Sequence, residues 1–137
     1  MKNLFLISAL TVVCSNAFAL TVNGNNALNL HNALKNAGAE VKIYTDASFL
    51  SVSKVKCVQE SGFVLLPMKC SFVDKSSGRL EEVNGALASS LSSALLKSGL
   101  KAVLFRAGEL STSTTSAKVI ECSTAAVPRL INCEITK

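Results

Sequence analysis

The chain predicts an α+β fold built by tandem duplication. Each copy is one helix packed on an antiparallel β-meander of three or four strands, with one disulfide per copy and a pseudo-twofold relation between copies. Three observations lead there. The first is self-similarity at a fixed offset. Val22-Asn23-Gly24 returns as Val83-Asn84-Gly85, 61 positions on, and Ala27, Leu30, Ala33, Leu34 and Gly38 return as Ala88, Leu91, Ala94, Leu95 and Gly99. These make eight identities across the 17 positions from Val22 to Gly38. The second is periodicity, which is helical inside that match and strand-like after it. The third is cysteine spacing, because one pair of cysteines follows each copy.

The N-terminus reads differently from the rest. Lys2 gives a short positive region, Leu4 to Val13 run mostly apolar, and Ala17-Phe18-Ala19 sets small residues where a signal peptidase reads. That is the pattern of a secretory signal peptide cleaved after Ala19. The apolar run is shorter than the roughly 20 residues of a membrane span. Val13 ahead of Cys14 is not the small residue a lipidation signal calls for. The expected division is 1–19 signal peptide, 20–80 first αβ repeat and 81–137 second αβ repeat, the repeats forming one body. Removing 1–19 takes away Lys2 and no acid, leaving 13 basic and 9 acidic residues, or +4.

Within the first repeat, Leu20 to Asn23 is a candidate short strand, matched by Leu80 to Val83. Ala27, Leu30, Leu34 and Ala37 share one helix face, as do Ala88, Leu91, Leu95 and Ser98. Asn25 or Asn26 is expected to cap the first helix and Asn84 the second. Gly38 and Gly99 mark helix ends in the left-handed conformation. Outer positions carry Asn29, Asn32, Lys35 and Asn36 in one helix and Ser89, Ser90, Ser92 and Ser93 in the other. The buried stripe of Ala and Leu is narrow, which suits close approach to a sheet.

Short apolar runs at Val41 to Thr45 and Ala102 to Arg106 read as strands. A hairpin follows each. The first runs from Phe49 to Gln59, turns near Ser61-Gly62 and returns from Val64 to Val73. The second runs from Ala117 to Cys122, turns near Val127-Pro128 and returns from Arg129 to Ile135. Met68, Cys70 and Phe72 share a strand face, as do Ile131, Cys133 and Ile135. Pro67 inside the first return strand predicts an edge or a bulge. Ile43-Tyr44 aligns with Leu104-Phe105, and the cysteines follow at offsets of 65 and 63. An insertion near Ser111 to Ser116 accounts for the first drift. Asp74 to Arg79 is the expected boundary between copies.

Four cysteines remain after cleavage: Cys57, Cys70, Cys122 and Cys133. An even number in an exported chain reads as disulfides. Proximity in sequence and one pair per repeat favour Cys57–Cys70 and Cys122–Cys133. Zinc is disfavoured, since 12 and 10 residues intervene and His31, the one histidine, is distant in sequence. In element order the chain resembles the β-lactamase inhibitor proteins, which are tandem helix-plus-sheet modules with a disulfide in each. That resemblance implies an architecture and transfers no binding residue.

Chemistry is sparse, so no catalytic residue, cofactor or metal is expected. His31 falls on the first helix with Ser92 as its duplicate position. Ser51-Val52-Ser53-Lys54 and Ser98-Gly99-Leu100-Lys101 fit S-x-x-K, but neither opens a helix, and the S-D-N and K-T-G partners are missing. Glu81-Glu82 reads as an acidic pair favouring the dipole of the second helix. No dinucleotide or P-loop pattern occurs. The basic residues look scattered, aromatics for base stacking are few and there is no Trp, so nucleic acid is not the expected partner. No membrane segment is expected after cleavage. What fits is an exported, periplasmic or extracellular protein-binding module, an inhibitor or accessory factor. Its expected contacts are the two hairpin tips: Phe63, Val64 and Leu65, and Val127, Pro128 and Arg129. The alternatives are a small cell-envelope hydrolase, favoured by a pocket holding His31 beside a carboxylate, or a structural envelope component.

Overall fold

A computed structural model describes residues 19–62, 64, 66–125 and 130–137. The expected signal peptide lies outside the described residues except for Ala19, which begins the first strand. The elements run β1 (Ala19–Asn23), α1 (Gly24–Asn36), β2 (Lys42–Ile43), β3 (Ala47–Ser61), β4 (Lys69–Asp74) and β5 (Leu80–Asn84). Then come α2 (Ala86–Lys97), β6 (Val103–Ala107), β7 (Leu110–Ala125) and β8 (Leu130–Thr136). The fold is α+β: two helices lie on one antiparallel eight-stranded sheet of order β1-β8-β7-β3-β4-β5, with β2 beside β3 and β6 beside β7.

The long strands β3 and β7 form the centre, in continuous register from Ala47↔Ala125 to Ser61↔Ser111. Their inward residues pair across the strands as Leu50↔Cys122, Val52↔Ile120, Val55↔Ala117 and Cys57↔Thr115, all buried. The period of two breaks once in each strand, between Val52 and Val55 and between Ala117 and Ile120, so two successive residues there do not enter the core. On β3 the break includes Lys54, which sits at φ +53°.

The helices supply the other half of the core. Ala27, Leu30, His31, Ala33 and Leu34 are buried on α1, and Ala88, Leu91, Ser92, Ala94 and Leu95 on α2. Leu30, Leu34, Leu91 and Leu95 are completely covered, each burial being worth about 2 kcal/mol. Small residues let the helices come down onto the disulfides. The Cys70 sulfur lies 3.3 Å from the Ala88 carbonyl oxygen and the Cys133 sulfur 3.6 Å from that of Ala27. The bonds are Cys57–Cys70 and Cys122–Cys133, between residues directly opposite each other in adjacent strands. Helix α1 packs on β8 and β1, while α2 packs mainly on β4 and β5. Each helix therefore covers the hairpin of the other half of the chain, not its own meander as the sequence suggests.

Local punctuation differs from expectation in three places. Asn25, Asn26 and Asn84 are not the caps: Asn23 and Gly85 occupy those positions, and neither makes a side-chain capping bond. Gly24 and Gly85 have φ of +64° and +67°, a region costly for a side chain, so Val-Asn-Gly is the turn from strand to helix. Pro67 precedes β4 and is not within a strand. Ser111 to Ser116, near which the insertion is expected, are part of β7, paired to β3 and, at the start, to β6. Finally, Glu81 and Glu82 lie in β5, ahead of the turn into α2, whose first turn holds no acid. Glu81 pairs instead with Arg79 at 2.7 Å.

Candidate functional site

Of the six expected contact residues, Phe63, Leu65, Val127, Pro128 and Arg129 lie outside the described residues. Val64 is exposed. The turn that carries it is folded back on itself: Gly62 N–H donates to the Val64 carbonyl at 3.1 Å, Leu66 N–H to Glu60 at 3.1 Å, and the Gln59 amide to Leu66 at 3.2 Å. It also leans on the neighbouring hairpin. The hydroxyls of Ser61 and Ser111 are 2.8 Å apart, and the Gly62 backbone lies against the side chain of Leu110.

That hairpin, β6–β7, is where the apolar surface concentrates. All five residues of β6 are exposed. Val103 is 68% exposed, Leu104 55% and Phe105 67%, on a strand with β7 on one side and no strand on the other among the described residues, and Leu110, the first residue of β7, is 62% exposed. The hairpin closes through the two residues Gly108-Glu109, with Gly108 at φ +64°. A glycine of positive φ at a two-residue loop is what a tight hairpin needs, and it projects β6 beyond the sheet's helix-covered part. The short apolar run at Ala102 to Arg106 predicts a strand, and the structure forms one at Val103–Ala107. Gly108-Glu109, immediately after the run, was the signal of a separate hairpin.

At the opposite end of the β3–β7 pair, roughly 45 Å away by strand rise, lies the second apolar region. A groove of about 620 Å³ is walled by Leu28, Ile43, Tyr44, Ala125 and Ile131, with Asn25, Asp46 and Thr124 at its rim. Ile43 and Tyr44 are well exposed. The groove adjoins the end of β7, where the second expected tip begins.

The remaining candidates show little chemistry. His31 is buried among the helices; its Nδ1 lies 3.3 Å from the Asn32 amide oxygen and its Nε2 has no partner among the described residues. It lines neither this groove nor any contact with a carboxylate. Ser51 lies on β3, 3.5 Å from Glu121, and the Ser98 hydroxyl donates to the Ala94 carbonyl at the end of α2. Neither is placed at the start of a helix beside its lysine. The Arg79 guanidinium is held above its ordinary pKa by the Glu81 hydrogen bond and charge, in a surface ion pair. Among the described residues no three His, Cys, Asp or Glu side chains converge as a metal site, and no helix is long and apolar enough to cross a membrane.

No family model, curated protein or solved structure matches the chain.

Proposed function

We propose that the protein is an exported, disulfide-stapled protein-binding module, an inhibitor or accessory factor acting in the periplasm or outside the cell. Its contact surface is the β6 arm, with Leu110, Val64 and Leu66 beside it. The observation that carries this reading is an edge strand whose five residues are all exposed and three of which are large and apolar. Such an edge offers unpaired backbone donors and acceptors, and a partner adds an extended segment to it while its side chains meet Val103, Leu104 and Phe105. Arg106 is the single charge on the strand, a modest guard against indiscriminate pairing. The scaffold beneath is stapled by two buried disulfides, which suit an oxidising compartment and keep the arm preorganised.

The same reading includes the duplication, with repeats at 20–80 and 81–137. Its support is positional. The five buried residues of α1 stand 61 places before the five of α2. The four-residue drift in offset falls where β6–β7 has two rungs, Arg106↔Ser111 and Ala107↔Leu110, beyond those matching the β2–β3 pairs and the Tyr44 N–H to Ala47 carbonyl bond that continues them.

The test is capture by the mature oxidised protein from the envelope and secreted proteins of its own cell, in parallel with Phe105→Asp. Phe105 is 67% exposed, so the variant folds and melts with the wild type. The expected result is a partner retained by the wild type and lost by the variant, with amide exchange slowed across Val103 to Ala107 on binding. Retention of the same partner by Phe105→Asp, or no change in exchange along β6, overturns the proposal.

A further inference from the structure

The sheet face opposite the helices is uncovered, and the lysines that look scattered in sequence meet at its centre. Lys54 lies between the rungs Ser53↔Val119 and Val55↔Ala117, which sets it opposite Lys118. Lys56 is two residues along the same strand and is flanked by Ser116 and Ser71. Lys69 belongs to β4, across from Val58. All four are exposed. They line two shallow grooves that share Lys56. One, of about 500 Å³, holds Ser53, Lys54, Lys56, Ser116 and Lys118. The other, of about 390 Å³, holds Lys56, Lys69 and Ser71, with Glu82 at its edge.

This arrangement works against folding. Like charges directly opposite in a strand pair repel, and none of the four ammonium groups makes an ion pair; among the described residues the one ion pair is Arg79–Glu81. Lys54 is also the one non-glycine among the described residues with positive φ, a conformation a lysine adopts at a cost. An anionic ligand spanning the two grooves removes the repulsion that the isolated protein carries.

We propose that this face binds a linear acidic polysaccharide. The site is open and shallow, so it fits an extended polymer and not an enclosed small anion. Its charges are lysine ammoniums, which act as point charges without the fork geometry of arginine, and between them stand the hydroxyls of Ser53, Ser71 and Ser116, which match sugar hydroxyls and carboxylates. Neither groove contains an aromatic ring on which a nucleic-acid base would stack. The surface is separate from the β6 arm and does not depend on it.

The test is binding of the mature oxidised protein to heparin and to polygalacturonate across a salt series, with single-stranded oligonucleotide as the competing class. Lys54→Gln/Lys118→Gln is compared with Lys97→Gln/Lys101→Gln, which removes the same charge beside α2. The expected result is binding at about 150 mM salt that the first variant weakens at least about tenfold, with a shallower salt dependence, and that the second weakens less than about twofold. Lys54→Gly adds an independent reading: relief of the positive φ raises Tm while affinity falls. Equal weakening by both double variants, unchanged affinity in Lys54→Gly, no binding of either polysaccharide, or tighter binding of the oligonucleotide each overturns the proposal.

Discussion

Replacing Asp74 by Ala should remove much of what fixes the connection between the two halves of the chain. Asp74 ends β4 and is 3% exposed. Its Oδ2 accepts the Glu40 backbone N–H at 3.2 Å, and its Oδ1 accepts both the backbone N–H and the hydroxyl of Ser76 at 3.1 Å. One carboxylate thus ties the segment after α1 to the turn that leads into β5. A hydrogen bond to a charged group contributes about 1.5–3 kcal/mol, and a buried donor left without a partner adds its desolvation. Glu40 and Ser76 are both exposed, so water replaces part of the loss at each. We expect a total of about 3 kcal/mol, a large share of the roughly 5–15 kcal/mol available to such a domain. The assay is urea unfolding of the mature oxidised protein near neutral pH, where the loss moves the midpoint down by about 1–2 M. Ser76→Ala, which removes only what the hydroxyl donates to the exposed Glu40 carboxylate and to Asp74, should cost less than about 1 kcal/mol. A change in Asp74→Ala within about 0.5 kcal/mol, as for an ordinary surface site, refutes the reasoning.

Two further predictions concern stability alone. Removing either disulfide as Cys57→Ala/Cys70→Ala or Cys122→Ala/Cys133→Ala should cost about 3 kcal/mol on the chain-entropy relation, since the bridged residues are 13 and 11 apart; denaturant curves of the two oxidised variants should therefore nearly coincide. His31→Leu should raise stability by about 1 kcal/mol, because it replaces a buried ring whose Nε2 has no partner among the described residues with an apolar group of similar size. A loss of stability in a thermal melt would show that the nitrogen is satisfied.

What was legible in the sequence is what local pattern and parity encode. Ala27, Leu30 and Leu34, and their counterparts on α2, announce their burial by helical spacing. Cys70 with Phe72, and Cys133 with Ile135, announce theirs by alternation, and the disulfide pairing followed from proximity in a chain read as exported. The misses share a cause, namely partners remote in sequence. Nothing local tells that Val22 of β1 pairs with Cys133 of β8. Nor does it tell that Lys54 faces Lys118, so a cluster at the sheet centre passed for scattered charge. Asp74 was read only as linker, because its value lies in Glu40, 34 residues away. On β6 the apolar run Val103-Leu104-Phe105 does form a strand, but its exposure is not written in the run itself: it follows from there being no strand on its other side among the described residues.

The exchange of elements between the halves explains why the two halves of the chain make one body. β1 finds its neighbour in β8 and β5 finds its own in β4, so the first strand of each half lies beside the last strand of the other. The helices repeat the exchange, with Ala27 set on Cys133 and Ala88 on Cys70. A half of about 60 residues has little core to spare, and here separation would also strip each disulfide of the helix that covers it and leave β3 without β7. The helix layer and the central pair are therefore committed to holding the halves together. That leaves the outer sheet face, the projecting β6 arm and the groove beside Ile43 and Tyr44 as surfaces the packing does not use, and the first two are where we propose that ligands are received.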